Sequence, residues 1–160
     1  MSKALSKQTR ERVADWLIVA GALALLGSLF LTWSHQFSPS FLNTFGSSEL
    51  LDGVPRNPTA WQVYSTMDIV LTLLALAMAA SAVFGARPWR VGVMFAALVG
   101  LAFTLHAISA PPTDGANIFN QSLSVPAYQP PGSTPGVGET AALIGLVVAI
   151  VGLLLSFTAD

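Results

Sequence analysis

Four titratable side chains near the ends of apolar segments could bind a ligand or exchange a proton: Asp68, His106, Glu139 and His35. Asp68 interrupts the apolar stretch "NPTAWQVYSTMDIVLTLLALAMAASAVFGARPWR", which runs from Asn57 to Arg90. An ionisable group in such a stretch costs about 2.5–3.5 kcal/mol or more at the centre of a bilayer and marks a functional site by default. A carboxylate beside an imidazole could hold a ligand, pass a proton or form a hydrogen-bonded pair. Two histidines and two carboxylates are also metal-ligand types, but their spacing follows no ligand pattern. No metal or cofactor is expected. No phosphate-binding loop, catalytic triad or zinc motif is found, so no enzyme is expected.

The segments that must position these groups are set by composition. The chain is 53% hydrophobic and 9% charged, whereas a soluble domain is about 25% charged. The net charge of −1 offers no basic surface for nucleic acid. Cysteine is absent, which excludes disulfides, thiolate metal sites and thiol redox chemistry.

The expected fold is an all-α integral membrane domain: a four-transmembrane-helix bundle with two long irregular outer loops. The spans are at about 13–33, 61–86, 91–110 and 139–157, each near the roughly 20 residues a bilayer requires. The first is read as a retained span, because its apolar run is longer than the h-region of a signal peptide. The outer loops are at about 35–59 and 111–138, and the second holds "PPGSTPG", which breaks helix and strand alike. Lys3, Lys7, Arg10, Arg12, Arg87 and Arg90 fall on one side and only Arg56 on the other. The positive-inside rule then places both termini in the cytoplasm of a cell-membrane protein. Trp33 and Trp61 fit an outer aromatic belt, and Trp16 and Trp89 an inner one.

Depth decides what Asp68 means. Asn57-Pro58 is one helix start, with Asn as cap and Pro at the first position. Ser65 and Asp68 mark another, at capping-box spacing. A helix from Pro58 to Ala86 would be about 43 Å long, more than the roughly 30 Å of hydrocarbon. With Arg87-Pro88 fixing its inner end, the surplus lies outside, and Asp68 falls at the outer hydrocarbon edge. His106 is expected at a similar depth, where it could pair with Asp68. Glu139 opens the fourth span and His35 closes the first on the same side. Acidic groups near helix N-termini are also favoured by the helix dipole. Ser65, Asp68, Thr72, Ala75 and Ala79 share one helical face, which is expected to point inward.

Small residues let membrane helices approach closely. Gly92, Ala96 and Gly100 recur every four residues, as do Ala141, Gly145 and Ala149, and Ala77, Ser81 and Gly85. These are expected to pack the helices or to form a dimer or partner interface. The first outer loop carries Phe37, Phe41, Leu42, Phe45, Leu50, Leu51 and Val54, which should pack on the helix ends. Asn120 matches a glycosylation acceptor.

This layout resembles tetraspan membrane proteins. Claudin-like and tetraspanin-like chains carry outer-loop cysteines, which are lacking here, and thiol oxidoreductases of four helices need cysteine pairs. Small multidrug transporters carry a carboxylate within the first span, whereas Asp15 lies at its inner end. The alanine- and leucine-rich helices, as in "TAWQVYSTMDIVLTLLALA", resemble small uncharacterised bacterial membrane proteins of actinobacterial type. That likeness implies no function. The first expectation is an accessory or scaffold subunit bound to another membrane protein, or a homo-oligomer, within the lipid bilayer. The alternative is a small transporter, or a sensor of an outer ligand or proton, using Asp68 and His106.

Overall fold

Alanine and leucine dominate the apolar segments, and both keep a helix at little conformational cost. The computed structural model describes residues 7–35, 43, 56–63, 66–109 and 134–158. They form α1 (Lys7–Ser28), β1 (Ser34–His35), α2 (Ala60–Val63), α3 (Met67–Phe84), α4 (Arg87–Ser109), β2 (Thr134–Pro135) and α5 (Val137–Thr158). Three helices, α3, α4 and α5, are long and apolar enough to cross a membrane. Their outward faces carry exposed large apolar side chains such as Phe84, Val99 and Leu154, a surface suited to lipid rather than water. The expectations for the loop residues 36–42, 44–55 and 110–133, Asn120 included, and for Ser65, lie outside the described residues.

Two helix boundaries differ from the sequence expectation. The first helix starts at Lys7 and stops at Ser28 rather than running to residue 33. Leu29, Phe30 and Leu31 then donate to Leu26, Gly27 and Ser28 carbonyls, the tighter i→i−3 pattern of a closing turn. Arg10, Glu11, Arg12 and Asp15 occupy its first half, which leaves α1 a shorter apolar stretch than the other long helices. The expected second span of 61–86 is two helices, α2 and α3, and α3 begins at Met67. No two-turn helical overhang carries Asp68, which is instead the second residue of α3.

Each long helix packs on two neighbours, α1 on α5 and α3, and α4 on α5 and α3. The closest pair is α1 with α5. Buried Ala14, Ile18, Gly21, Leu25 and Ser28 alternate by four and three along α1. Gly138, Ala142, Gly145, Ala149, Gly152 and Ser156 do the same along α5. That is the heptad seam of a left-handed helix pair. The register is antiparallel: a Cβ on Gly152 would lie 2.8 Å from the Ala14 carbonyl oxygen, one on Gly145 2.8 Å from that of Gly21, and one on Gly138 2.9 Å from that of Ser28. The small residues are there because the backbones themselves touch.

The expected packing faces are therefore used unevenly. Gly100, Gly145 and Ala149 are buried and Ala141 is half-buried. Gly92 and Ala96 are exposed, and a Cβ on Gly92 would meet nothing within 4 Å. The buried face of α4 is Val93, Ala97, Gly100, Thr104 and Ala107. In α3, Ser81 is buried while Ala77 is half-buried.

Trp33 ties one end together. It does not join an outer aromatic belt but is fully buried, unlike Trp16, Trp61 and Trp89, which are exposed. Its indole N–H donates to the Ser28 carbonyl at 2.8 Å. Its backbone N–H donates to the Pro58 carbonyl at 2.9 Å, and its carbonyl accepts from Gly136 at 2.8 Å. Thr32 pairs with Thr59, and β1 pairs antiparallel with β2. The exit of α1 thus holds the entries of α2 and α5. We expect Trp33→Ala to cost about 3–5 kcal/mol and Trp33→Phe about 1 kcal/mol for the lost hydrogen bond, read as detergent unfolding midpoints.

The other end is fastened by charge. Arg90 Nη2 donates to Asp15 Oδ1 at 2.9 Å across α4 and α1, and Arg10 Nη1 to the Thr158 carbonyl at 3.2 Å.

Candidate functional site

Buried hydroxyls on these helices satisfy themselves locally. Ser28 donates to the Leu25 carbonyl at 2.6 Å, Ser81 to Met78 at 2.7 Å, Thr104 to Gly100 at 2.9 Å and Ser156 to Leu153 at 2.7 Å. This is how a helix carries a hydroxyl where water is absent. Two carboxylates do not follow that pattern. Asp68 and Glu139 are each 0% exposed, and among the described residues none of their four oxygens has a hydrogen-bond partner. The Gly136 N–H faces the Glu139 carboxylate, but it is committed to the Trp33 carbonyl.

Both groups lie at one level. A Cβ on Gly100 would sit 2.8 Å from Leu74 Cδ2 and 3.6 Å from Leu146 Cδ2, so α3, α4 and α5 share a layer there. Asp68 lies six residues from Leu74 toward the Trp33 end, and Glu139 seven residues from Leu146 in the same direction. At 1.5 Å per residue they stand about 9 and 10.5 Å beyond that layer. Asp68 shares its buried face with Leu71, Ala75 and Met78. Glu139 is one position from Gly138, over which Trp33 lies. Each sits in the first turn of its helix, where the dipole favours negative charge.

The inward face expected for Asp68 is observed at Asp68 and Ala75, with Thr72 and Ala79 half-buried. The Thr72 hydroxyl donates to the Asp68 backbone carbonyl at 2.7 Å, leaving the carboxylate without a donor. Thr66, at the cap position of α3, makes no side-chain cap bond.

The two histidines stand apart from this layer. His106 is exposed, while the next residue, Ala107, is buried. One residue turns a helix by about 100°, which is enough to carry the imidazole off the inner face. The expected Asp68–His106 pair is not formed. His35 lies in the β1–β2 rim, its Nδ1 2.8 Å from Asn57 Oδ1. Sequence reasoning missed Trp33 and Thr104. The spacing of Ala97, Gly100, Thr104 and Ala107 could have found the second.

Carboxylate oxygens accept hydrogen bonds and donate none when ionised. With the Thr72, Ser28 and Thr104 hydroxyl protons donated to backbone carbonyls, the layer offers oxygen acceptors to a positively charged species. An anion with no partner away from water is strongly disfavoured. A proton or a small hard cation is the chemistry that would balance it.

Long apolar helices, their lipid-suited outer faces and a polar layer inside one end point to a helical membrane protein. No protein-family model, curated protein or solved structure matches the chain.

Proposed function

We propose that the chain is a four-span bundle in the cell membrane that takes up a proton or small cation from the outer side, as a small transporter or sensor without enzymatic activity. One observation carries this reading: the two fully buried carboxylates of Asp68 and Glu139, unpartnered among the described residues, at one level of the interior. It replaces the Asp68–His106 pair with Asp68 and Glu139. The basic residues Arg10, Arg12, Arg87 and Arg90 support an inner, cytoplasmic Asp15–Arg90 end, with both termini inside and the Trp33 end outside. A reporter fused after Asp160 is then expected to be active only in the cytoplasm.

The functional test uses purified protein reconstituted in liposomes. Cation- or pH-dependent changes in tryptophan fluorescence, or ion flux, are expected in the wild type and lost in Asp68→Asn and Glu139→Gln. His106→Ala should leave them unchanged. Equal responses in all four proteins would remove the reading.

An accessory or scaffold subunit is the second reading, supported by the exposed Gly92 and Ala96 on α4. A small-residue face left outside the helix packing suits another membrane helix. Co-purification of a defined membrane protein in mild detergent, lost in Ala96→Leu, would favour it. A lone monodisperse species counts against it.

A further inference from the structure

We propose that a cleft at the Asp15–Arg90 end binds the head group and upper acyl chain of an anionic phospholipid. The cleft, of about 320 Å³, lies between α1 and α3 and is lined by Arg12, Asp15, Trp16, Val19, Ala82 and Val83. Its chemistry is divided. Val19, Ala82 and Val83 form an apolar wall, and Val83 is 70% exposed. Trp16 is 74% exposed, an amphipathic ring of the kind that settles at head-group level. Arg12 stands one turn before Trp16, on the same face.

Charge complementarity selects the occupant. Asp15 is the acidic residue lining the cleft, and its carboxylate is held by Arg90 at 2.9 Å. It is therefore compensated and does not repel an anion. Arg12 is exposed and makes no ion pair or hydrogen bond among the described residues. Glu11 precedes Arg12 but does not line the cleft. One uncompensated guanidinium above an apolar wall, with a tryptophan between, matches a phosphate above an acyl chain. Basic pockets between membrane helices on the cytoplasmic side recognise anionic head groups in this way, and the guanidinium fork suits phosphate oxygens. A zwitterionic lipid would meet the same wall but brings no net negative charge to Arg12.

The test titrates the full chain in mild non-ionic detergent with short-chain phosphatidylglycerol, phosphatidylcholine or glycerol phosphate, and follows thermal unfolding. Phosphatidylglycerol is expected to raise the midpoint at lower concentration than phosphatidylcholine. Arg12→Gln should weaken its apparent affinity about fivefold, the effect of one basic side chain near an anionic surface, and Arg12→Lys should recover most of it. Ala82→Leu, which fills the apolar wall, should weaken both lipids. Equal response to the two lipids, or a preference that survives Arg12→Gln, overturns the proposal. So does glycerol phosphate acting as well as phosphatidylglycerol, which assigns a free phosphate, or Ala82→Leu leaving both lipids unaffected, which removes the cleft.

Discussion

Gly145→Leu is expected to prevent folding, while Gly92→Leu, the same change on the neighbouring long helix, leaves the protein intact. A Cβ on Gly145 would stand 2.8 Å from both the Gly21 carbonyl oxygen and the Leu25 nitrogen. These are backbone atoms of α1, which cannot rotate away as a side chain can. Relief requires α1 and α5 to separate along the seam that also uses Gly21, Ala149 and Gly152. Overpacking a core costs about 1–3 kcal/mol when side chains can shift. Here the backbone must move, so a loss above about 4 kcal/mol is expected, among the largest single-substitution effects. Gly92 faces open space, and its change should fall within about 0.5 kcal/mol apart from the helix propensity gained over glycine. Monodisperse yield and detergent unfolding midpoints read both. A well-folded Gly145→Leu would mean that α1 and α5 are not in backbone contact.

The double change Asp68→Asn, Glu139→Gln is expected to keep the fold, raise its stability and abolish the response to outer pH and cations. Amides match the carboxyl groups in size, so packing around Trp33 and Leu71 is preserved. They also remove two potential anions whose oxygens have no hydrogen-bond partner among the described residues. Removing the cost of a buried, unpartnered polar charge should gain on the order of 1–3 kcal/mol for each site. Stability and function then move in opposite directions, which is the usual relation at a binding site that carries unpaired groups. Asp68→Leu and Glu139→Leu are a weaker test, because they change volume as well as charge. If the amide variant were less stable and still responsive, both carboxylates would be structural caps at helix N-termini.

The apolar segments were legible because alanine, leucine and valine runs of bilayer length are hard to read otherwise. Three of the four meet the length and hydropathy a crossing needs. α1 falls short because charge enters its first half. The short α2 and the start at Met67 were half legible: "STMD" marked the boundary, but Asn57-Pro58 gave an equally good start. The small-residue faces show why spacing alone misleads. Residues four apart drift about 40° around a helix, and of Gly92, Ala96 and Gly100 only Gly100 is buried. Positions alternating by four and three stay on one side, as Val93, Ala97, Gly100, Thr104 and Ala107 do. The same arithmetic separates exposed His106 from buried Ala107. Asp68 was legible as a candidate, and its inward face too. Its level with Glu139 was not, because that depends on the Leu74–Gly100–Leu146 layer. The role of Trp33 was hidden because a tryptophan near a span end reads as an interfacial anchor, and only tertiary hydrogen bonds reveal it as a hub.

Asp68 and Glu139 are proposed to form an inner layer reached by protons or cations from the Trp33 side. Infrared difference spectroscopy of the reconstituted protein tests it most directly, with the pH and cation content of the bathing solution varied in turn. Beyond the response of its six other carboxylic side chains, the wild type should show carboxyl bands that change with one or both and that are missing from the Asp68→Asn, Glu139→Gln spectrum, with His106→Ala unchanged. Carboxyl bands indifferent to pH and to every cation, or identical in the double variant, would contradict it.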